Sequence, residues 1–350
     1  MNEADSEVKA AASAHGGPER APSNGLLLAG VGALWMAGML WSARATITGR
    51  ADAEMEVTST AYAMPGAVSA SLVAGAAVAL AVLALLTRPG RALGVTVRFA
   101  IATGTGLCIG ALGALSIITI NTEGWLYAVV GGTVAAAATI GGALAGLRHT
   151  RVVTAACWGA VAVFLVGVVL SFLQDSLLPA LGAGDTAESQ AGAAGWFSLL
   201  QSVLGGLAGA VVAYRVLRRA RARTGDDVGW PLYALAGAGP GLLLMVGEVL
   251  TRTAGSRVLE LAGKVSELEL TVQQMLSTAR LNSALIVTFV GAFTAIIAVG
   301  RTMGAAPAAE AEPETEAKNE PETEAVADPD EIEREARAEE PQKVPSGKDD

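Results

Sequence analysis

Eight stretches of this sequence run for about twenty residues with little or no charge, the length a helix needs to cross ~30 Å of hydrocarbon at 1.5 Å per residue. They are Gly25–Ser42, Gly66–Thr87, Leu93–Ile120, Trp125–Leu147, Val152–Leu173, Gly195–Leu217, Trp230–Leu250 and Asn282–Met303. None shows the one-sided apolar period of a helix resting on a soluble core; each is apolar all round. Hydrocarbon offers no water to satisfy backbone amides and carbonyls, so such a segment pairs them internally as a helix. The expected fold is an all-α integral membrane protein, a bundle of eight transmembrane helices within residues 25–303. Composition agrees: 16% of residues are charged, against about 25% in an average soluble domain.

Charge is distributed unevenly. The segment from Gly304 to Asp350 holds 16 acids and 5 bases, a net −11. Residues 1–24 carry −2, so of the total of −9 the part in between carries +4. The tail repeats Pro-Glu-Thr-Glu-Ala at 313–317 and 321–325 and has few apolar residues. Such a composition cannot bury enough surface to offset the entropy of ordering, so 304–350 is expected to be disordered, as is 1–24. Its acidity suits a basic protein partner and repels anionic lipid head groups. Nothing in the chain forms the basic patch that nucleic acid requires.

Arginines set the expected orientation. Arg88, Arg91, Arg98, Arg148, Arg151, Arg215, Arg218, Arg219, Arg221, Arg223 and Arg301 fall on one side if the spans alternate. That side is then cytoplasmic, with both termini, and the membrane is the cell membrane. The opposite side has one partial exception, the loop Thr251–Leu281 with Arg252, Arg257, Lys264 and Arg280. Ala43-Arg44-Ala45 after the first run also resembles a signal-peptidase site. The acidic segment before it argues instead for a retained first helix. The excess of arginine over lysine, with spans rich in Ala, Gly and Val, matches the bias of GC-rich bacterial genomes.

Catalytic and cofactor signatures are missing. There is no phosphate-binding Gly-rich loop ending in Lys-Ser/Thr, no H-E-x-x-H and no G-x-S-x-G. With His15 and His149 as its two histidines, the chain has no imidazole array for a metal or haem. The expectation is a non-enzymatic protein without a cofactor. Cys108 and Cys157 lie at different depths of their spans and are expected to remain unbridged. Glycines spaced four apart (Gly106 and Gly110, Gly142 and Gly146, Gly205 and Gly209, Gly237 and Gly241) suit close helix approach. Gly104-Thr105-Gly106 in the third span and Gly237-Ala238-Gly239 in the seventh hint at a four-plus-four repeat, too short a match to stand on its own.

Two features are candidates for function. In span seven, Pro240 lacks an amide hydrogen and leaves the Ala236 carbonyl without its helical partner. With Gly237, Gly239 and Gly241 around it, a kink or break is expected at mid-membrane, where freed backbone groups can hold a solute. Glu248, the acid inside a span, lies ~12 Å from Pro240 by the helix rise, and Arg252 one turn on is its expected partner. The second feature is an extracytoplasmic helix at 256–280 ahead of the last span. Val258, Leu261, Val265, Leu268, Val272 and Met275 alternate by three and four, a short heptad seam with valine at a and Leu, Leu, Met at d. That pattern favours a parallel homodimer coiled coil. The two functional expectations are an assembly or partner subunit, dimerising through this helix, and a carrier or channel for a small, largely apolar solute. A membrane-embedded enzyme comes third.

Overall fold

The computed structural model describes residues 23–48, 53–87, 94–120, 125–224, 229–258, 260 and 267–303. The expected disordered ends, 1–24 and 304–350, fall almost entirely outside these residues, as do Leu261 and Val265 of the heptad seam. Among the described residues the fold is an all-α bundle of eight apolar helices, each long enough to span a membrane. They are α1 Ser23–Thr48, α2 Ala53–Leu86, α3 Val95–Ile118, α4 Trp125–Ala145, α5 Thr150–Ala180, α6 Ala187–Thr224, α7 Trp230–Thr253 and α8 Glu267–Met303. The chain is therefore a multi-pass membrane protein. Its outer surface carries large apolar side chains, among them Leu34, Trp41, Phe172, Phe289 and Phe293, as lipid contact requires and water does not favour.

Several helices outrun the apolar windows that reveal them. α2 begins at Ala53, so most of the interval Ala43–Pro65 is helix, with Pro65 inside α2. α8 is 37 residues long, ~55 Å against ~30 Å of hydrocarbon. The described part of the expected outer helix, from 267 onward, is the first third of α8 and continues without a break into the last span. Ser256–Val258 add a short helical turn after α7. α1 runs helical through Ala43-Arg44-Ala45. There Arg44 Nη1 donates to the Ser116 carbonyl at 3.1 Å and tethers α1 to the end of α3.

The helices pack as two groups of four with the same internal pairing. In the first, α1 lies against α2, α3 against α4, and α2 against both α3 and α4; in the second, α5–α6, α7–α8, α6–α7 and α6–α8 repeat these pairs. The one departure is α5, which packs extensively on α7, whereas α1 barely touches α3. Glycine makes the tightest contacts. A Cβ on Gly106 of α3 would stand 2.9 Å from Gly142 Cα of α4, and one on Gly237 of α7 would meet the Gly291 carbonyl of α8. One glycine from each cluster, Gly106 and Gly237, thus does the same work in equivalent helix pairs, bringing backbones into van der Waals contact where no hydrophobic drive exists between helices. On α2, which forms the centre of the first group, Gly75 meets the Ala138 carbonyl, and Gly141 of α4 meets Leu72 of α2. The groups join chiefly through α2 against α7, with lighter contacts of α5 on α1 and α2.

Candidate functional site

The segment Ala236–Gly241 is buried at every residue. α7 stays helical from Trp230 to Thr253 with Pro240 inside it, so of the expected kink or break the break does not occur. Its neighbours crowd the segment closely. A Cβ on Gly159 of α5 would stand 2.6 Å from Pro240 Cγ, and one on Gly209 of α6 3.4 Å from the same atom. A Cβ on Gly239 would strike the Ala156 side chain, and one on Gly241 would lie 2.7 Å from the Ala284 carbonyl. The three glycines and the proline therefore sit where α5, α6, α7 and α8 approach one another closely.

Glu248, two turns further along α7, has a different environment. It is 5% exposed and lies at the end of the bundle where α7 finishes and α8 begins. Arg252 Nε donates to its Oε1 at 3.1 Å, the i,i+4 partner read from the sequence. Ser277 Oγ donates to the same oxygen at 2.7 Å. Arg280 Nε donates to Oε2 at 3.0 Å. Arg252 Nη2 also donates to the Ser277 carbonyl at 2.7 Å, which fixes the first part of α8 against α7. The carboxylate thus takes three charge-assisted or hydroxyl donors, a set that can hold a charge in a low-dielectric site. Arg280 and Ser277 went unrecognised as partners of Glu248 in the sequence because they belong to the next helix. A polar Ser/Arg spacing of three on a helix otherwise read as a dimer seam was the only signal available.

Glu248 and Arg280 of this cluster line a cavity of about 770 Å³. Its walls come from α1 (Trp35, Met39), α2 (Pro65, Gly66, Ser69) and α5 (Val163, Phe164, Gly167, Phe172), with α6, α7 and α8 completing it. The lining is mainly apolar, interrupted by Ser69, Ser171, Ser198, Gln201, Ser202 and Ser283. Trp35 stacks on Phe164 with ring centroids 4.4 Å apart, the contact that brings α1 against α5. Phe172 stands at the rim and is 85% exposed, next to the exposed apolar Val169 and Leu173 of the same helix. The rim therefore merges into a surface of the kind that faces acyl chains.

Of the four described heptad residues, Val258 is fully buried, Val272 half-buried, and Leu268 and Met275 are 74% and 67% exposed. Cys108 and Cys157 are both free. Comparison with protein-family models, with curated proteins and with solved structures finds no match.

Proposed function

We propose that the protein is a non-enzymatic carrier of the cell membrane that takes a small, largely apolar solute into the cavity between α1, α2 and α5–α8. The observation that carries this reading is the cavity itself. Its volume of about 770 Å³ falls in the range of small-molecule sites, ~300–1,000 Å³, and its walls are apolar with a few polar groups at fixed places. It lies where the two four-helix groups meet, and relative movement of packed groups is the usual means by which carriers change access. Of the solute-site residues expected from the sequence, Glu248 lines this cavity, whereas Gly237, Gly239, Pro240 and Gly241 do not. Pro240→Ala should accordingly leave solute binding intact.

Filling the cavity tests the reading. Val168→Trp places a large side chain in the space without touching the ion cluster. Retention of a fluorescent apolar probe by the purified protein in detergent should fall about tenfold or more while the melting temperature holds. Unchanged probe binding by a folded Val168→Trp protein would rule the cavity out as the site.

A second reading, assembly with another copy of the chain, is favoured by Leu268 and Met275. They stand one heptad apart on α8, both largely exposed, on a part of the helix that the hydrocarbon thickness does not require. The acidic tail would add a docking segment for a basic partner.

A further inference from the structure

The ion cluster at the cavity is not balanced. Glu248 is shared by Arg252 and Arg280, two cations on one anion. Among the described residues that line the cavity, Glu248 is the sole acid. Its two oxygens are already occupied by three donors. Arg280 meets the carboxylate through Nε, and its Nη2 is buried with no hydrogen-bond partner. A guanidinium is donor only and stays charged, so an unpartnered arm at an apolar cavity lacks an acceptor, and preferably a negative one. Trp35, which also lines the cavity, repeats the pattern: its Nε1 is buried and without a partner, and the indole is again donor only.

We propose that the occupant of this cavity is an anionic amphiphile, its carboxylate or phosphate head held by Arg280 and its hydrocarbon body lying along Trp35, Phe164 and Phe172. The inference rests on the carrier reading and adds the chemistry of the solute. Charge complementarity selects the head: the cluster carries one positive charge in excess, and an anion completes it. The Nη2 atom is buried although the Arg280 side chain as a whole is 31% exposed, so such a contact is stronger than in water but weaker than a fully buried one. The body follows from the walls. Trp35 Nε1 can donate to an ester or hydroxyl oxygen on that body, whereas an all-hydrocarbon molecule leaves it unpaired. The exposed apolar rim at Phe172 provides entry from the side, so the head need not cross water.

The test uses the full-length protein in maltoside micelles, with radiolabelled oleate as probe and unlabelled amphiphiles as competitors. Oleate should bind saturably. Methyl oleate and oleylamine, with neutral and cationic heads on the same chain, should compete at least tenfold less well. Arg280→Gln should weaken oleate binding about tenfold or more, and Trp35→Phe, which keeps the ring stack on Phe164, several-fold. Should Arg280→Gln fail to fold, Glu248→Gln, Arg252→Gln and Arg280→Gln combined remove the anion and both cations together and serve the same purpose. Phosphatidylglycerol displacing oleate better than phosphatidylcholine would support a phospholipid as the natural source. Phosphatidylglycerol and phosphatidylcholine both failing to displace it would support a free fatty acid. Equal displacement by the two phospholipids, equal competition by methyl oleate, or full oleate affinity in the folded arginine variants would overturn the anionic head. In the case of methyl oleate the cavity would stand as an apolar site. Absence of saturable binding by any of these amphiphiles would overturn the carrier reading as well.

Discussion

Arg280 Nε donates to Glu248 Oε2 at 3.0 Å and joins α8 to α7 across 32 residues of chain. Because the carboxylate is buried and also holds Arg252 and Ser277, its removal strands two guanidiniums at once. Glu248→Ala should lower stability by about 2–3 kcal/mol, the low end for breaking a buried pair, since both arginine side chains keep roughly a third of their area exposed. Thermal unfolding of the purified protein measures it. A double-mutant cycle with Glu248→Gln and Arg280→Gln should show coupling of about 1 kcal/mol or more. The same cycle on Arg257 and Glu260, 3.4 Å apart but 73% and 50% exposed, should give a value near zero. Equal coupling in the two pairs would mean that burial of Glu248 adds nothing.

Glycines in this bundle divide into two classes by what surrounds them. Gly241→Ala would push a Cβ against the Thr288 amide and to 2.7 Å from the Ala284 carbonyl, backbone atoms that cannot swing away. It should separate α7 from α8 and reduce the amount of folded protein in the membrane, at a cost of several kcal/mol by analogy with overpacked cores. Gly38 and Gly300 have nothing within 4 Å of the same position. Alanine there should be neutral or stabilise by up to ~1 kcal/mol through helix propensity. The check is the yield and melting temperature of the three variants side by side; loss at Gly38 equal to that at Gly241 would contradict the contact assignment.

Arginine placement predicts that both ends of the chain face the cytoplasm. A reporter fused at Gly304 should be active as a cytoplasmic reporter. One inserted within Gly184–Gln190, around the turn where Gly182 adopts a φ of 95° between α5 and α6, should be active outside. The arginines that disturb the charge bias have a structural use: Arg252 and Arg280 hold Glu248, and Arg257 pairs with Glu260. An external reporter signal at Gly304 would overturn this orientation, through either an odd number of spans or inversion of all eight.

The eight spans were legible because hydrocarbon imposes one length and one composition on every segment that crosses it. What the sequence hid was everything set by neighbours. Apolar windows stop at the lipid boundary, so they missed the extensions of α2, α6 and α8, whose residues are polar but continue the helix. Pro240 reads as a breaker in isolation; only the approach of Gly159 and Gly209 shows it as a packing residue. Glu248 was recognisable as an unusual acid with Arg252 one turn away, because that pairing is local. Its contacts with Ser277 and Arg280, and the cavity beside them, depend on six helices meeting and leave no mark in any one of them.

The outer part of α8 offers a separate test of self-association. At 100° per residue Leu268 and Met275 share a face, with Val272 close to it, whereas Leu270 lies 200° away from Leu268 on the opposite side. A second copy inserted with the same topology would present this face in parallel, the arrangement that valine at a and leucine at d favour. Two exposed residues and a half-buried valine make a short contact, each buried side chain contributing on the order of 1–2 kcal/mol before ordering costs. Such a contact strengthens a dimer begun in the membrane rather than creating one. After replacement of Cys108 and Cys157, cysteine at Leu268 or Met275 should cross-link to its twin under mild oxidation in native membranes, and cysteine at Leu270 should not. Equal cross-linking at all three would indicate random collision. None at Leu268 or Met275 would assign this face to lipid head groups or water, and the assembly reading would lose the observation that favours it.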